Sequence, residues 1–222
     1  MSFARYRELA AWYDEHYDLP LGANPAFPLF ESTGSGVLLT APHAVRTVTA
    51  AGETKVADYS TGALVRAVGE ASGGACLVAH SPWPGNANVD PFESCVFKQR
   101  MVGLLAGGLT SVLDVHGMRN DHGADVCVGT HVDGPSALAD YVSDVLGEHG
   151  LRCRHNDPFG ARSPHTVTAT ALRSGAHAVQ LEIATRWREP VARPDEAARL
   201  YGALVELTRG VAAGAFLARA GA

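Results

Sequence analysis

The sequence predicts an α/β protein with one central, mostly parallel mixed sheet and helices on both faces. Short apolar runs rich in β-branched residues alternate with helical segments of roughly 10 to 15 residues, the pattern of βαβ units. The 222 residues suffice for one hydrophobic core, and no internal repeat, low-complexity segment or long linker divides them. We therefore expect a single three-layer domain over 1–222.

Helices are predicted where apolar residues recur at three-to-four spacing between helix-breaking residues. Pro20 ends the first such segment. In the third segment, Val96, Met101, Leu104 and Leu105 are expected on or near one apolar face. The predicted helices are 3–17, 58–72, 92–106, 135–149, 166–173 and 194–218.

Strands are predicted where short apolar runs lie between turn residues. The first two runs are joined by a Ser-Thr-Gly-Ser turn, so they could pair as a hairpin. The polar stretch 46–55 and the proline-rich stretch 80–91 are predicted to be loops. The predicted strands are 27–30, 36–41, 75–79, 109–115, 124–129, 151–154 and 177–183.

The composition and net charge of the chain indicate which classes of binding partner are disfavoured. Charged residues make up 18% and hydrophobic residues 46% of the chain, which is typical of a soluble globular protein. The net charge of −5 without a basic block argues against nucleic acid and anionic membrane as partners. The N-terminal stretch lacks the apolar core of a signal peptide, and no run approaches the roughly 20 apolar residues of a membrane span. The four cysteines form no CxxC pair. We expect a cytoplasmic protein with reduced cysteines.

Three predicted strands end in polar residues that a buried sheet does not need. His43 follows one strand, Asp114 and His116 end the central one, and Glu182 lies on the last. The carboxyl ends of parallel strands share one edge, where open α/β sheets bind ligands. Two histidines and two acids there could hold a divalent metal and a base, since zinc hydrolases use three nitrogen or oxygen ligands and water. Asp114 could fix the tautomer of a nearby histidine ligand or stabilise the loop that follows. Gly117 is expected to let the backbone turn away without placing a side chain in the pocket.

The third metal ligand stays open between two acids. The HExxH motif is absent, and Arg46 stands three residues after His43. Asp58 begins a predicted helix, where its position would be well defined; its alternative role is an N-cap. Glu53 lies in the preceding loop and could equally be a solvated surface acid.

The motifs around these residues resemble the N-formylglutamate amidohydrolase-like family. Members are zinc-dependent amide hydrolases with a carboxypeptidase-like, phosphorylase/hydrolase-type α/β fold. The matching pieces occur in the family's order over 37–188. They are APHAV, GETKVADYSTGAL, LDVHGM, DVCVGT, NDPFGARSPHTVT and VQLEIATRWR.

Asp58, which begins a predicted helix, is preferred to Glu53 as the third ligand; the resemblance implies a mononuclear zinc bound by His43, an acid and His116. It also implies that Glu182 is the general base or acid, although an ion pair with a nearby arginine is an alternative role for this carboxylate. Basic residues near the site would hold a substrate carboxylate. The candidates are Arg162, Arg186, Arg188 and, lining the pocket, His165.

The expected function is hydrolysis of an amide bond, N-acyl or N-formyl, in a small carboxylate-bearing, amino-acid-like substrate. The family's SRxxxDxNR stretch has no clear counterpart; 86–100 occupies the interval, with Asn88 and Asp90 interpreted as loop-capping residues that could also contact substrate. The alternatives are a peptidase or polyglutamate-type hydrolase with the same site, and a non-catalytic binding protein of the same fold. The presence of Glu182 favours an enzyme. The absence of GxSxG and of GxGxxG disfavours a serine hydrolase and a dinucleotide site.

Overall fold

A seven-stranded mixed sheet forms the centre of the computed structural model, which describes residues 3–20, 29–34, 36–49, 52–132 and 136–220. The strands are β1 (Leu29–Ser32), β2 (Val37–Ala41), β3 (Thr47–Val48), β4 (Thr54–Lys55), β5 (Ala75–Ala79), β6 (Trp83–Pro84), β7 (Ser111–Met118), β8 (Val126–Gly129), β9 (Cys153–His155) and β10 (His177–Ala184). The helices are α1 (Phe3–His16), α2 (Thr61–Ser72), α3 (Val96–Ala106), α4 (Ala137–Glu148), α5 (Val167–Arg173), α6 (Pro194–Ala212) and α7 (Ala215–Ala220).

The strand order in the main sheet is β1-β5-β2-β7-β10-β8-β9. The four central strands, β5, β2, β7 and β10, run parallel to one another, whereas β1 and β8 pair antiparallel to β5 and β10. A small second sheet has the order β4-β3-β6. The predicted mixed α/β class is therefore confirmed.

Both faces of the sheet are covered. Helices α2, α4 and α6 pack together and against one face, with α1 outside α2. Helix α5 packs against β7 and β10 on the other face, and α3 packs on α5. All five residues of β2 are buried, as expected for a parallel strand between two helical layers. None of the helices in the described ranges has the length and apolar content needed to cross a bilayer.

The predicted hairpin of the first two strands is wrong. Strand β1 pairs with the outer edge of β5, and β2 pairs with β5 and β7, so β5 lies between them. The buried run of β2 requires a partner on each side, while the half-buried β1 suits an edge. A side chain at Gly34 would collide with the backbone of Gly74 and Ala75, so glycine allows the connection to pass closely by β5. Residues 27 and 28 of the predicted first strand lie outside the described residues.

Several predicted helix boundaries also differ. Helix α2 begins at Thr61 and leaves Asp58 in the preceding turn. Helix α3 begins at Val96, whose side chain is 49% exposed, so the predicted apolar face is displaced. The predicted last helix divides into α6 and α7 at Gly214, where φ is 73°. The proline predicted to open the helix at 135 lies outside the described residues, and Ser136 caps α4.

Candidate metal centre and active site

Three buried side chains predicted as metal ligands meet at the carboxyl edge of the central strands. His43 lies in the turn after β2, Asp58 precedes α2, and His116 lies near the end of β7. The Nδ1 atoms of the two histidines are 3.2 Å apart. Oδ2 of Asp58 is 3.6 Å from Nδ1 of His43 and 3.4 Å from Nδ1 of His116. The described residues thus present two nitrogens and one carboxylate oxygen to a common point.

Backbone contacts place Asp58 in this triangle. Its N–H donates to the carbonyl of His43 at 2.7 Å, which fixes the turn before α2 against the end of β2. Its Oδ2 accepts a 3.1 Å bond from the N–H of Gly117, and its Oδ1 accepts a 2.6 Å bond from Nζ of Lys55. The side chain does not cap α2, since the N-cap residue is Ser60. The alternative N-cap role of Asp58 is therefore wrong.

The contacts of His43 determine its tautomer. Its Nε2 lies 3.0 Å from Oδ1 of Asn86. The same Oδ1 accepts a 3.0 Å bond from the backbone N–H of Asn88, which identifies the atom as an oxygen rather than the amide nitrogen. His43 must therefore carry its proton on Nε2, and Nδ1 presents a lone pair to the triangle.

Asp114 has the same effect on His116. Its Oδ2 lies 3.1 Å from Nε2 of His116, and its Oδ1 accepts a 2.7 Å bond from the Thr40 hydroxyl. The amide nitrogen of Asn88 is 3.4 Å from the same Nε2, but the buried carboxylate is nearer and is the stronger acceptor. His116 therefore donates from Nε2, and its Nδ1 is the ring nitrogen that faces Asp58 and His43.

This arrangement fits a divalent cation. Ligands at 2.0 to 2.1 Å from a tetrahedral zinc are about 3.3 to 3.4 Å apart, close to the three separations among His43, Asp58 and His116. Three lone pairs held this close repel one another unless a cation or a proton lies between them. Two imidazole nitrogens and a carboxylate oxygen are a donor set typical of zinc.

The electrostatics of the triangle are consistent with this interpretation. Burial lowers the pKa of His43, which favours the neutral imidazole that a metal needs. Burial also opposes the charged form of His116, but Asp114 and Asp58 outweigh it and raise the pKa of His116 well above its usual value. Burial opposes ionisation of Asp58, yet the two histidines hold its pKa well below the usual range. The carboxylates of Asp114 and Asp58 therefore favour positive charge at His116, a position that a bound cation would share.

Glu182 lies beside the triangle on the next strand. It is the direct neighbour of His116 in the β7–β10 register. Its Oε1 accepts a 3.0 Å bond from Nε2 of Gln180, and burial raises its pKa. A carboxyl group with a raised pKa next to a metal site is suited to transfer protons near neutral pH.

Arg186 and Arg188 have other partners. Arg186 forms an ion pair with the buried Asp125. The side chain of Arg188 is 4% exposed and donates to the carbonyls of Ile183 and Tyr59. Among the described contacts, neither arginine bonds Glu182. The ion pair that was the alternative role of this carboxylate is therefore not formed.

The remaining predicted residues lie on exposed segments. Arg162 and His165 are exposed in the loop before α5. This loop runs close to β10, the strand that carries Glu182. Gly129 pairs with Gln180 of that strand, and a Cβ at Gly129 would lie 3.2 Å from the backbone nitrogen of Ala161 in the loop. Glu53 is exposed and is not part of the described ligand cluster.

Sequence reasoning missed two residues that hold the triangle, Lys55 and Asn86. Lys55 stands three residues before Asp58, a spacing that could have suggested the ion pair. Asn86 stands in the Asn-Ala-Asn stretch, where only Asn88 was singled out. Nothing in the sequence alone indicates that the oxygen of Asn86 faces a histidine.

Residues 96–187 match the family model described as N-formylglutamate amidohydrolase. No curated protein sequence matches the chain.

Solved structures with this fold include an N-formylglutamate amidohydrolase from Ralstonia eutropha JMP134, with 17% identity, a TM-score of 0.56, and coverage of 83% of this chain and 97% of that one. A bacteriophage poly-gamma-glutamate hydrolase has 17% identity and a TM-score of 0.56, with 86% and 91% coverage. A gene product from Agrobacterium tumefaciens has 18% identity and a TM-score of 0.58, with 87% and 97% coverage. At these identities the likeness concerns the fold.

Proposed function

We propose that this chain, a relative of the N-formylglutamate amidohydrolase-like family, is a zinc-dependent hydrolase of an amide bond. The substrate would be a small amino-acid-like molecule that bears a carboxylate and an N-acyl or N-formyl group. The observation that carries the proposal is the convergence of Nδ1 of His43, Nδ1 of His116 and Oδ2 of Asp58. The family match supports amide hydrolysis as the reaction.

His43, Asp58 and His116 are the residues that would hold the zinc. When bound, zinc supplies Lewis acidity to a carbonyl oxygen and acidifies water. Lys55 and Gly117 keep the Asp58 carboxylate turned toward the histidines through their bonds to Oδ1 and Oδ2. The ligand atoms are therefore positioned before the cation arrives, which lowers the entropic cost of binding it.

Glu182 is assigned the proton transfers. Because Oε1 accepts the bond from Gln180, we assign Oε2 as the oxygen that takes the proton from the attacking water. The same carboxyl group then gives this proton to the leaving nitrogen, so the amine departs neutral. The raised pKa of Glu182 makes its protonated form accessible for this second step.

We assign the substrate carboxylate to the loop that carries Arg162 and His165. Both residues are exposed, and the loop passes next to the strand of Glu182. A guanidinium can hold a carboxylate through two parallel bonds, which suits Arg162 to this role.

Metal content tests the proposal first. We expect about one zinc per chain by elemental analysis of protein purified without chelator, soaked in zinc and desalted, because the triangle provides one set of ligands. His43→Gln should abolish this occupancy. His149→Gln is the control, since that histidine bonds Glu206 on the surface of α4. Well under half an equivalent of zinc in the wild type would refute the metal assignment.

A substrate panel then tests the reaction. N-formyl and N-acetyl amino acids with acidic side chains are expected to release the free amine, as measured by an amine-reactive dye. Short peptides and γ-linked glutamate oligomers belong in the same panel, because a peptidase or polyglutamate-type hydrolase would use the same site. A zinc-loaded protein that binds these compounds without cleaving any would instead favour a binding protein.

A further inference from the structure

Helix α3 buries a lysine among apolar residues. The buried face of this helix consists of Phe97, Lys98, Met101 and Leu105. Lys98 is 0% exposed, and its Nζ donates to the backbone carbonyls of Asp90 and His165, the latter at 2.7 Å. Burial lowers the pKa of this lysine. Burying an ammonium group among apolar residues is costly unless the group is hydrogen-bonded. The two bonds of Lys98 meet this need and connect α3 to two neighbouring loops.

The first of these bonds leads to His43. The carboxylate of Asp90 accepts a 2.6 Å bond from the backbone N–H of Asn86. Asn86 in turn holds Nε2 of His43 through its side-chain oxygen at 3.0 Å. Lys98 therefore holds Asp90 in place, and Asp90 in turn holds Asn86, the residue that determines the tautomer of His43.

The second bond leads to His116. His165 directly precedes Thr166, the N-cap of α5, whose hydroxyl accepts a 3.0 Å bond from the N–H of Ala169. In the first turn of this helix, the hydroxyl of Thr168 donates to Oδ2 of Asp114 at 3.3 Å. Asp114 is the residue that holds Nε2 of His116.

A third contact joins the two paths. The side-chain oxygen of Asn88 accepts a 3.2 Å bond from the N–H of Val167 at the start of α5. Its amide nitrogen lies 3.4 Å from Nε2 of His116. The loop around Asn88 and the start of α5 are therefore held together by a direct bond.

We propose that Lys98 is a positioning residue for both histidines of the metal centre, acting through the Asp90–Asn86 loop and the start of α5. The inference rests on the proposed function, since it describes the outer support of the same site. Charge-assisted bonds from one buried cation hold both segments in place, and each segment holds Nε2 of one histidine so that its Nδ1 faces the metal centre. Residues that hydrogen-bond a metal ligand on the side away from the metal typically contribute 10- to 100-fold to metal affinity.

Zinc affinity, measured by competition with a chromogenic chelator, tests this role. Lys98→Met keeps the length of the side chain but removes its donors, and we expect zinc to bind up to about 10-fold more weakly, because Lys98 acts on the ligands through intermediate residues. Lys98→Gln restores two N–H donors without charge and should recover part of the affinity. Met101→Ala is the matched control, since it removes a buried apolar side chain from the same face of α3 and takes away no hydrogen-bond donor. Its zinc affinity should stay near wild type.

The protonation of the histidine rings provides a readout that needs no metal. Long-range ¹H–¹⁵N spectra of metal-free wild type should show the Nε2-protonated tautomer for His43, and Lys98→Met should mix its two tautomers. The Nδ1-protonated tautomer of His43 in the wild type, or an unchanged His43 ring and unchanged zinc affinity in both Lys98 variants, would overturn the inference. A wild type that binds no zinc would refute the metal assignment, and the ring spectra would then decide the role of Lys98 by themselves.

Discussion

Glu182→Gln separates a catalytic carboxylate from a structural one. The amide has nearly the volume of the carboxylate and keeps an oxygen that can accept the 3.0 Å bond from Gln180. It cannot take a proton from water. Because Glu182 is not a proposed ligand, the variant should bind zinc as the wild type does.

The expected loss in turnover follows from the role of the group. General acid–base catalysis contributes about 10²- to 10⁴-fold. This range corresponds to about 3 to 5 kcal/mol of activation free energy, since each tenfold change in rate is about 1.4 kcal/mol. The acid limb of the pH–rate profile, which reports ionisation of Glu182 in the wild type, should disappear in the variant.

The effect on stability has a definite sign. Burial raises the pKa of Glu182 in the folded state, so the folded protein holds this proton more tightly than the unfolded chain. The wild type therefore loses stability as pH rises from the unfolded pKa through the folded pKa. Above this window the ionised Glu182 is destabilising, and Glu182→Gln removes the penalty. The metal-free variant should melt at the same temperature as the wild type or higher at pH 7.

Calorimetry across pH and a turnover assay on the same preparation decide between the two roles. Glu206→Gln is the control, since this glutamate bonds His149 on the surface. A lower melting temperature with near-normal turnover would identify Glu182 as a structural partner. A stable, zinc-loaded variant with near-normal turnover would remove Glu182 from the mechanism.

Asp58→Ala should lower zinc occupancy, measured by elemental analysis, far more than Glu53→Ala, since only Asp58 lies in the triangle; the reverse ranking would move the ligand to Glu53. Asp114→Ala should weaken zinc binding about 10- to 100-fold in a chelator competition, because it releases Nε2 of the second histidine; unchanged affinity would contradict the tautomer argument. Gly117→Ala should cost about 1 to 3 kcal/mol in denaturant unfolding. The new Cβ would lie 2.5 Å from the guanidinium of Arg188, which the surrounding carbonyls hold in place; a variant as stable as wild type would show that Arg188 can move freely.

Most elements of the fold could be predicted because their apolar periodicity is local information. The family resemblance drawn from short motifs is likewise confirmed. The position of β1 was missed because strand neighbours depend on contacts between distant residues, which no local pattern encodes. Gly117 was expected to turn the chain, but β7 continues through Met118, and the glycine is needed for space against Arg188.

The three proposed ligands could be anticipated because the carboxyl ends of parallel strands meet at one edge. Which atom of each ligand faces inward could not be anticipated, since this depends on how Asn86 and Lys55 are oriented in loops. Lys98 was missed because the apolar face of α3 was placed around Val96, whereas a lysine shares the buried stripe with Met101. A charged residue at helical spacing within an apolar stripe indicates a buried charge with specific partners.

The order of the strands along the chain has a consequence for folding. β2 and β7 pair across a long stretch of sequence, with Thr40 and Asp114 separated by 74 positions. Such pairings form slowly, because the chain loses entropy before it gains contacts. All three proposed ligands precede β10 in the chain, so a chain without β10 still holds them but leaves one edge of β7 without its partner strand. Folding intermediates that lack β10 should therefore associate with one another, and a chain that ends before His177 should aggregate when expressed.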